Sequence, residues 1–445
     1  MSMSWLLPEG ARLHFQGLDQ PLTILRGLGG GTQGQVYAVE AGGETLALKW
    51  YLPACLAGDP GLPRRLRQSI GLGSPNPDFL WPLALLEPTA ASRPLIRHPE
   101  AGFGYLMALR PPSFLGAHLH AGGQLEISLQ NVLRACFFLA DGFHQLHLKG
   151  LCYKDISLGN LFLEPGSGRI LICDNDNVDI DGGDPGSVLG TPGFMAPEVL
   201  LRQSRPGAGS DLFSLAVLIF RLLTRHDPFR GRRELTIRCL DEPARRRLYG
   251  EEALFIFDPD DAGNRPDPEE HAAALVTWPI YPAALQALFL QTFCSGLRQP
   301  QRRALTGQWT QALSRCLDQR QLCPGCGQET FPEPEQEGRC WHCGAALPRA
   351  ARLQASHGSV VAAAGNALYP HHFNPLLGLD LHQPIGRLEA HPSDPTLLGL
   401  RNLSSDPWQA TLNDGRTLRL EPGRTCNLAA LQDIRTSAGT LTLLA

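Results

Sequence analysis

The sequence predicts an α+β chain with a strand-rich opening, a helical body, a short metal-held segment and an all-β end. Three observations carry that prediction. Residues 21–51 read as strands around glycine turns, whereas residues 126–148 keep helical spacing. Two Cys-x-x-Cys-Gly knuckles, at Cys323 and Cys340, follow the helical part. Beyond them, residues 353–445 show no helical period and alternate short apolar runs with turn signals.

At 445 residues the chain exceeds one ordinary core. Length alone suggests about three domains, and composition and motifs set off 321–350 and 353–445 from what precedes them. A formal net charge of −4 gives no global basic field, so neither a nucleic acid nor a membrane is expected as a partner. Met1 to Pro8 lacks the basic start and apolar run of a signal peptide. The apolar stretch Leu212 to Phe220 is about half of what a bilayer span needs, and a cytoplasmic, soluble protein is expected. Of twelve Cys, four form the two knuckles and eight are scattered, as reduced core thiols would be. Only three of the 39 cationic side chains are Lys, and two of them, Lys49 and Lys154, fall within candidate chemical motifs.

Taken in order, Leu22 to Leu25 leads as a strand into Gly29, Gly31 and Gly34, and Val36 to Val39 continues as a strand. Gly42-Gly43 predicts a hairpin turn, and Thr45 to Tyr51 a further strand. Alternation places Ala47 and Lys49 on one face of it. A glycine-rich hairpin lets backbone N–H groups approach phosphates, with Lys49 reaching them from the neighbouring strand. Because strand residues, not a helix, follow the glycines, a dinucleotide site is disfavoured. A short helix is expected near Pro63 to Gln68, two strands over 79–87 and 103–109, and an amphipathic helix over 126–148. His144 and His147 on that helix read as core or helix-end residues. Ser210-Asp211 is expected to cap a buried helix, Leu212 to Leu223. The acidic loop Asp258 to Glu270 reads as a solvated insertion, and residues 282–295 and 304–319 as closing helices.

The chemistry concentrates in Tyr153-Lys154-Asp155-Ile156-Ser157-Leu158-Gly159-Asn160. Asp174 follows fourteen residues after Asn160, at the end of the apolar run Ile170 to Cys173. An Asp that orients a hydroxyl, with an Asn and a second Asp that hold Mg²⁺, suits phosphoryl transfer.

Together, residues 21–320 resemble the protein kinase catalytic domain. Gly29, Gly31, Gly34 and Val36 match its glycine-rich loop, and Ala47-Leu48-Lys49 its lysine strand. Asp155 and Asn160 match the catalytic loop, and Asp174 the metal-binding Asp. Ala196-Pro197-Glu198 matches the Ala-Pro-Glu motif, with Arg303 as the partner of Glu198 and Asp211 as the buried support of the catalytic loop. Gly190 to Glu198 resembles Ser/Thr rather than Tyr kinases. The resemblance implies a bilobal protein-kinase-like domain, split into an N-lobe over 1–110 and a C-lobe over 111–320. It implies ATP with Mg²⁺ or Mn²⁺, the ion held by Asn160 and Asp174, and catalysis by Asp155, Lys49, Asn160 and Asp174. Val36 and Ala47 would roof the adenine pocket and Phe162 would floor it. Met107 would be the gatekeeper, with Ala108 and Leu109 in the hinge.

Departures accompany the match. Tyr153 and Lys154 replace the usual His and Arg, and Ser157 replaces a Lys near the transferred phosphate. Asn175 and Asp176 replace Phe and Gly after Asp174. No Glu occurs in 52–72 to pair with Lys49, which leaves Asp59, Asp176 or no partner. Lys154, or nearby Arg, is expected to offset the missing Lys at position 157. Ser187 and Thr191 are the hydroxyls between Asp174 and Glu198. Because Lys154 grips a phosphate less firmly than Arg, activation-segment phosphorylation is not expected to be required.

Cys323, Cys326, Cys340 and Cys343 give the spacing of a four-cysteine zinc ribbon, a structural Zn²⁺ site with no open position. Acidic residues over 329–337 argue against nucleic-acid binding there. The end, 353–445, is expected to be a small β-sandwich, faintly similar to forkhead-associated domains, with Arg387 and Ser404 as phosphate-reading candidates. The whole order resembles bacterial Ser/Thr kinases of triads with tellurite-resistance-type (TerY-type) von Willebrand A proteins and PP2C-type phosphatases. That resemblance implies bacterial phosphosignalling, with the von Willebrand A protein as substrate and the phosphatase reversing the reaction. The rival is a nucleotide-binding pseudokinase scaffold that docks such a partner.

Overall fold

The computed structural model describes residues 4–31, 33–97, 102–183, 189–332 and 338–444. It opens with a six-stranded antiparallel sheet built from β1 (Arg12–Leu13), β2 (Leu22–Gly30), β3 (Gly34–Ala41), β4 (Glu44–Tyr51), β5 (Ala84–Leu86) and β6 (Gly104–Ala108), in the order β1-β2-β3-β4-β6-β5. The β3–β4 hairpin turns at Gly42 and Gly43, both at positive φ, which glycine adopts without strain. Alternation along β4 sends Leu48 and Trp50 to an outer core with Leu13, Ile24 and Val39. It sends Ala47 and Tyr51 to an inner core with Leu66, Tyr105 and Met107. Two helices follow β4: α1 (Pro53–Gly58), which sequence reasoning did not anticipate, and α2 (Leu62–Leu72). Trp81 donates from Nε1 to Ser69 O at 2.9 Å, which ties α2 to the loop before β5.

The helical body is organised on α4 (Leu129–Leu148), after α3 (Ala117–Ala121). Ser128 caps α4 by accepting from Asn131 N at 3.2 Å, so the helix begins three residues later than its apolar spacing predicts. α4 packs against the buried helix Ala208–Thr224 and against Thr306–Asp318. The first of these starts before Ser210-Asp211: Gly207 is the N-cap and Ser210 accepts its N–H at 2.9 Å. Asp211 therefore lies inside the helix, where it does other work.

Four thiols of the knuckle segment converge. Phe331, beside them, enters the main helical core and stacks on Tyr281. Residues 352–444 form two antiparallel sheets, of six and four strands, around one apolar core that includes Leu353, Leu388, Leu400, Trp408 and Ile434. This unit seats on the helical body. Arg134 donates to Tyr369 Oη at 3.1 Å, and His372 Nε2 lies 3.1 Å from Asp318. His382 Nε2 lies 3.3 Å from the fully buried Asp78, with its ring 4.6 Å from Phe138. Among the described residues, no helix is long and apolar enough to cross a membrane.

Candidate active site

Between the sheet and the helical body lies a cleft of about 850 Å³. Its lining brings together Gly29, Gly31, Gly34, Val36, Ala47, Lys49, Met107, Ala108, Leu109 and Phe162, together with Asp155 and Asp174. Val36 on β3 pairs with Lys49 on β4, and Met107 pairs with Ala47 across β4 and β6. Gly29 and Gly31 face open space where a side chain would stand, which suits close approach of a ligand to backbone. Gly34 is required for another reason: a Cβ there would meet the Trp50 carbonyl at 2.5 Å. Arg110, not anticipated, lies over the Phe162 ring at 4.4 Å.

Of the catalytic-loop candidates, Asp155 lines the cleft, whereas Asn160 is not among its lining residues. Asp155 Oδ1 accepts from Thr191 Oγ1 at 2.6 Å, and Asn160 Nδ2 donates to the Asp155 carbonyl at 2.9 Å. Beneath them, buried Asp211 accepts from the backbone N–H of Tyr153 at 2.7 Å and of Lys154 at 3.0 Å. His147 Nε2 lies 3.2 Å from the same carboxylate, which explains its place at the helix end. The Tyr153 hydroxyl donates to the Cys173 carbonyl and so joins the loop to the strand that carries Asp174. Arg303 grips Glu198 through two bonds of 2.7 Å.

Lys49 is buried, and its ammonium meets three acceptors: Asp176 Oδ2 at 2.7 Å, Gln33 Oε1 at 3.2 Å and Asp174 Oδ1 at 3.4 Å. Asp59 is not among them; it holds Arg65 of α2. Burial pulls the Lys49 ammonium down, but Asp176 and Asp174 outweigh it and hold it above its ordinary value. Burial raises the Asp174 carboxyl; Lys49 opposes that rise and the Asp176 charge adds to it. Asp174 adopts a left-handed backbone, with φ 54°, which turns the chain sharply after the strand.

Lys154 does not replace the missing Lys at position 157. Its Nζ is buried and donates to Asp179 Oδ2 at 3.0 Å, so its charge is committed there. Arg65 Nε approaches the same oxygen at 3.9 Å. Asp179 thus draws together the catalytic loop, α2 and the segment after Asp174. Sequence reasoning missed it; the acid-rich run Asp174-Asn175-Asp176-Asn177-Val178-Asp179 beside a helix with basic but no acidic residues was the available signal. Ser187 lies outside the described residues.

The four knuckle thiols have ligand atoms all within 4.8 Å of one another, with Cys323–Cys343 and Cys326–Cys340 at 3.6 Å. A tetrahedral Zn²⁺ with bonds near 2.3 Å sets its sulfurs about 3.8 Å apart, so the donor set and spacing fit. Gly327 and Gly344, both at positive φ, close the two turns. His342 is not part of the cluster. At the far end, Ser404 Oγ bonds Asn402 Oδ1 at 2.7 Å and accepts from Trp408 Nε1 at 3.0 Å, which occupies it in its own turn.

Residues 118–255 match the family described as the protein kinase domain. CBL-interacting protein kinase 4 of Oryza sativa subsp. japonica is 31% identical over 252 residues, 50% of this chain and 51% of that protein. Serine/threonine-protein kinase SRK2D of Arabidopsis thaliana is 31% identical over 152 residues, 31% of this chain and 42% of that protein. The chain spans about half or less of the length of these relatives. The kinase domain of Mycobacterium tuberculosis PknI superposes with a TM-score of 0.45 at 19% identity, over 69% of this chain and 98% of that one. Residues 118–255 are thus similar to the protein kinase domain, and the curated relatives named are protein kinases, one of them a serine/threonine kinase by its name.

Proposed function

We propose that the chain is an ATP- and Mg²⁺-dependent Ser/Thr protein kinase. The observation that carries this reading is the convergence of Lys49, Asp155 and Asp174 on one cleft behind open glycines. Bound Mg·ATP supplies the γ-phosphoryl group and the divalent charge on it. Asp174 and Asn160 are oxygen donors of the hard type that suits Mg²⁺. Asp155 orients the substrate hydroxyl and takes its proton; Thr191, bonded to its other side, fixes its rotamer. Lys49 would hold the non-transferred phosphates, and Met107, Ala108 and Leu109 line the part of the cleft where the adenine would sit. Catalysis of this kind is positioning and electrostatics, so the supports under the loop matter as much as the reacting groups.

Labelled phosphate transfer from ATP to protein Ser or Thr tests this reading, with Asp155→Asn and Asp174→Asn beside wild type. Transfer that both variants lose supports it. ATP binding without any transfer would favour the scaffold reading instead. We further propose a structural zinc in the four-Cys segment, and a phosphosignalling role with a von Willebrand A protein as substrate and a PP2C-type phosphatase as its opponent. The order of kinase domain, four-Cys knuckles and β unit supports that assignment. Pull-down of those two protein classes by the full chain tests it.

A further inference from the structure

We propose that Asp176 is the positioning residue for Lys49, doing from the metal-binding turn what a helix glutamate would otherwise do. The inference rests on the kinase reading above. A lysine ammonium has three donors, and all three of Lys49 are accounted for. The shortest contact, 2.7 Å, goes to Asp176; those to Gln33 and Asp174 are 3.2 and 3.4 Å. The two carboxylates differ in place. Asp174 lines the cleft with its side chain 41% exposed, whereas that of Asp176 is 2% exposed and lies outside the lining. Asp174 is therefore placed to meet a metal and phosphates, and Asp176 to hold the lysine from behind. The two longer contacts are the ones to be exchanged for phosphate oxygens.

Asp176 is itself held. Tyr51, two residues beyond Lys49 on the same face of β4, donates its hydroxyl to the same Oδ2. The Tyr51 ring stacks on Phe103 at 5.5 Å. Asn175 pins the turn by donating to Leu80 O at 2.9 Å and Ile172 O at 3.0 Å. From α2 no substitute is available: Leu62–Leu72 contains no acid, and its buried Arg65 pairs with Asp59. Placing the counter-charge two residues after Asp174 makes the lysine and the metal-binding Asp move as one piece. The pair then forms without any swing of α2.

The test uses the full chain with Asp176→Asn, Asp176→Glu, Lys49→Ala and the double variant Lys49→Ala/Asp176→Asn. Mg·ATP affinity is read by titration calorimetry, and kcat and KM by labelled transfer. Losing an oriented electrostatic contact of this kind lowers kcat about 100-fold, and that is expected for Asp176→Asn, with weaker ATP binding and partial recovery in Asp176→Glu. Because Asp176 acts through Lys49, the double variant should be no worse than Lys49→Ala alone. Near-wild-type affinity and kcat in Asp176→Asn, or additive losses in the double variant, would overturn the proposal. So would a raised Mg²⁺ requirement as the main defect. Asp176 Oδ1 is buried with no hydrogen-bond partner among the described residues, which makes metal binding the rival role. Thermal unfolding identifies variants that fail to fold. For those, Tyr51→Phe removes one bond to Asp176 while keeping the charge; it should weaken ATP binding in the same direction, and unchanged affinity would overturn the proposal. If the wild type transfers no phosphate, the kinase reading fails, and the affinity comparison alone decides this one.

Discussion

Truncating Arg303 to Ala should cost more stability than any exposed ion pair in the chain. Its guanidinium is fully buried and forks onto Glu198 through two bonds of 2.7 Å. It also donates to Gly209 O at 2.8 Å and Gly296 O at 3.1 Å, and lies 5.1 Å from the Phe213 ring. The arginine therefore ties the Ala-Pro-Glu helix to the start of Ala208–Thr224 and to the closing helices. Removing it leaves Glu198, only 16% exposed, without a counter-charge. Breaking one side of a buried pair costs about 3–5 kcal/mol. The buried Gly296 carbonyl also loses its donor, which adds about 1 kcal/mol, not additively. We take about 4 kcal/mol, which for a body near 200 residues lowers Tm by about 8–16 °C. Differential scanning calorimetry and urea midpoints read both quantities. Pairing the change with Glu198→Gln removes the stranded charge, so the double variant should be about 2 kcal/mol better than the summed single costs. A Tm shift below about 2 °C, or strictly additive costs, would refute the reasoning, since a desolvated bidentate pair cannot behave as a surface one does.

Four further outcomes follow from the same geometry. Asp155→Asn should lower phosphoryl transfer by at least about 100-fold while ATP still binds, as labelled transfer and calorimetry would show. Metal analysis should find about one zinc per chain, lost in Cys340→Ser together with several degrees of Tm, because all four thiolates are needed to close the site. Burial, with His372 and His357 adding to it, holds the His371 imidazole down to about 3 from an ordinary 6.5. The unfolded chain therefore binds a proton that the folded chain refuses between those values. Stability should fall as pH drops below about 6.5, by up to about 1.4 kcal/mol per unit, and His371→Gln should flatten that slope in urea midpoints between pH 7 and 5. Phosphatase treatment should leave activity largely intact, whereas Asp179→Asn should lower it, because a built-in carboxylate already holds Lys154.

What could be read from the sequence was whatever lies close along it. The catalytic-loop octapeptide, the glycine hairpin, the lysine strand and the Cys knuckles each place their chemistry within a few residues, where spacing and backbone geometry fix relative position. The ten cleft residues expected to face a nucleotide all line the same cavity; alternation placed Ala47 and Lys49 on one face, and the family resemblance supplied Met107, Ala108, Leu109 and Phe162. The pairings that cross the fold were at best left open. Lys49–Asp176, one of three alternatives the sequence allowed, spans 127 residues, and the unanticipated Lys154–Asp179 joins two loops. His382–Asp78 spans 304 residues and seats the C-terminal sheets against the loop behind the cleft. Periodicity carries no information about such partners. Helix ends failed for a related reason: Asp211 looks like a cap beside an apolar run, but tertiary demand from the Tyr153 and Lys154 amides places it inside the helix.

The two departures that make the site look damaged in sequence are complementary in space. α2 contains no acid and presents Arg65, while the segment after Asp174 carries acids at positions 176 and 179. Lys49 finds its counter-charge at Asp176, and Arg65 and Lys154 find theirs at Asp59 and Asp179. Each buried cation is thus matched, and none of the three pays the several kcal/mol of an unpaired interior charge. A requirement to keep Lys49 charged, buried and aimed at the cleft accounts for an acid at position 176. That argument predicts an asymmetry between the positions: Asp176→Gly should disable Lys49 unless a Glu is introduced in α2 at a position that faces the lysine. Recovery of ATP affinity in that paired variant, read by calorimetry, would show that an acid at either place serves Lys49; failure of every α2 Glu to rescue would break the argument.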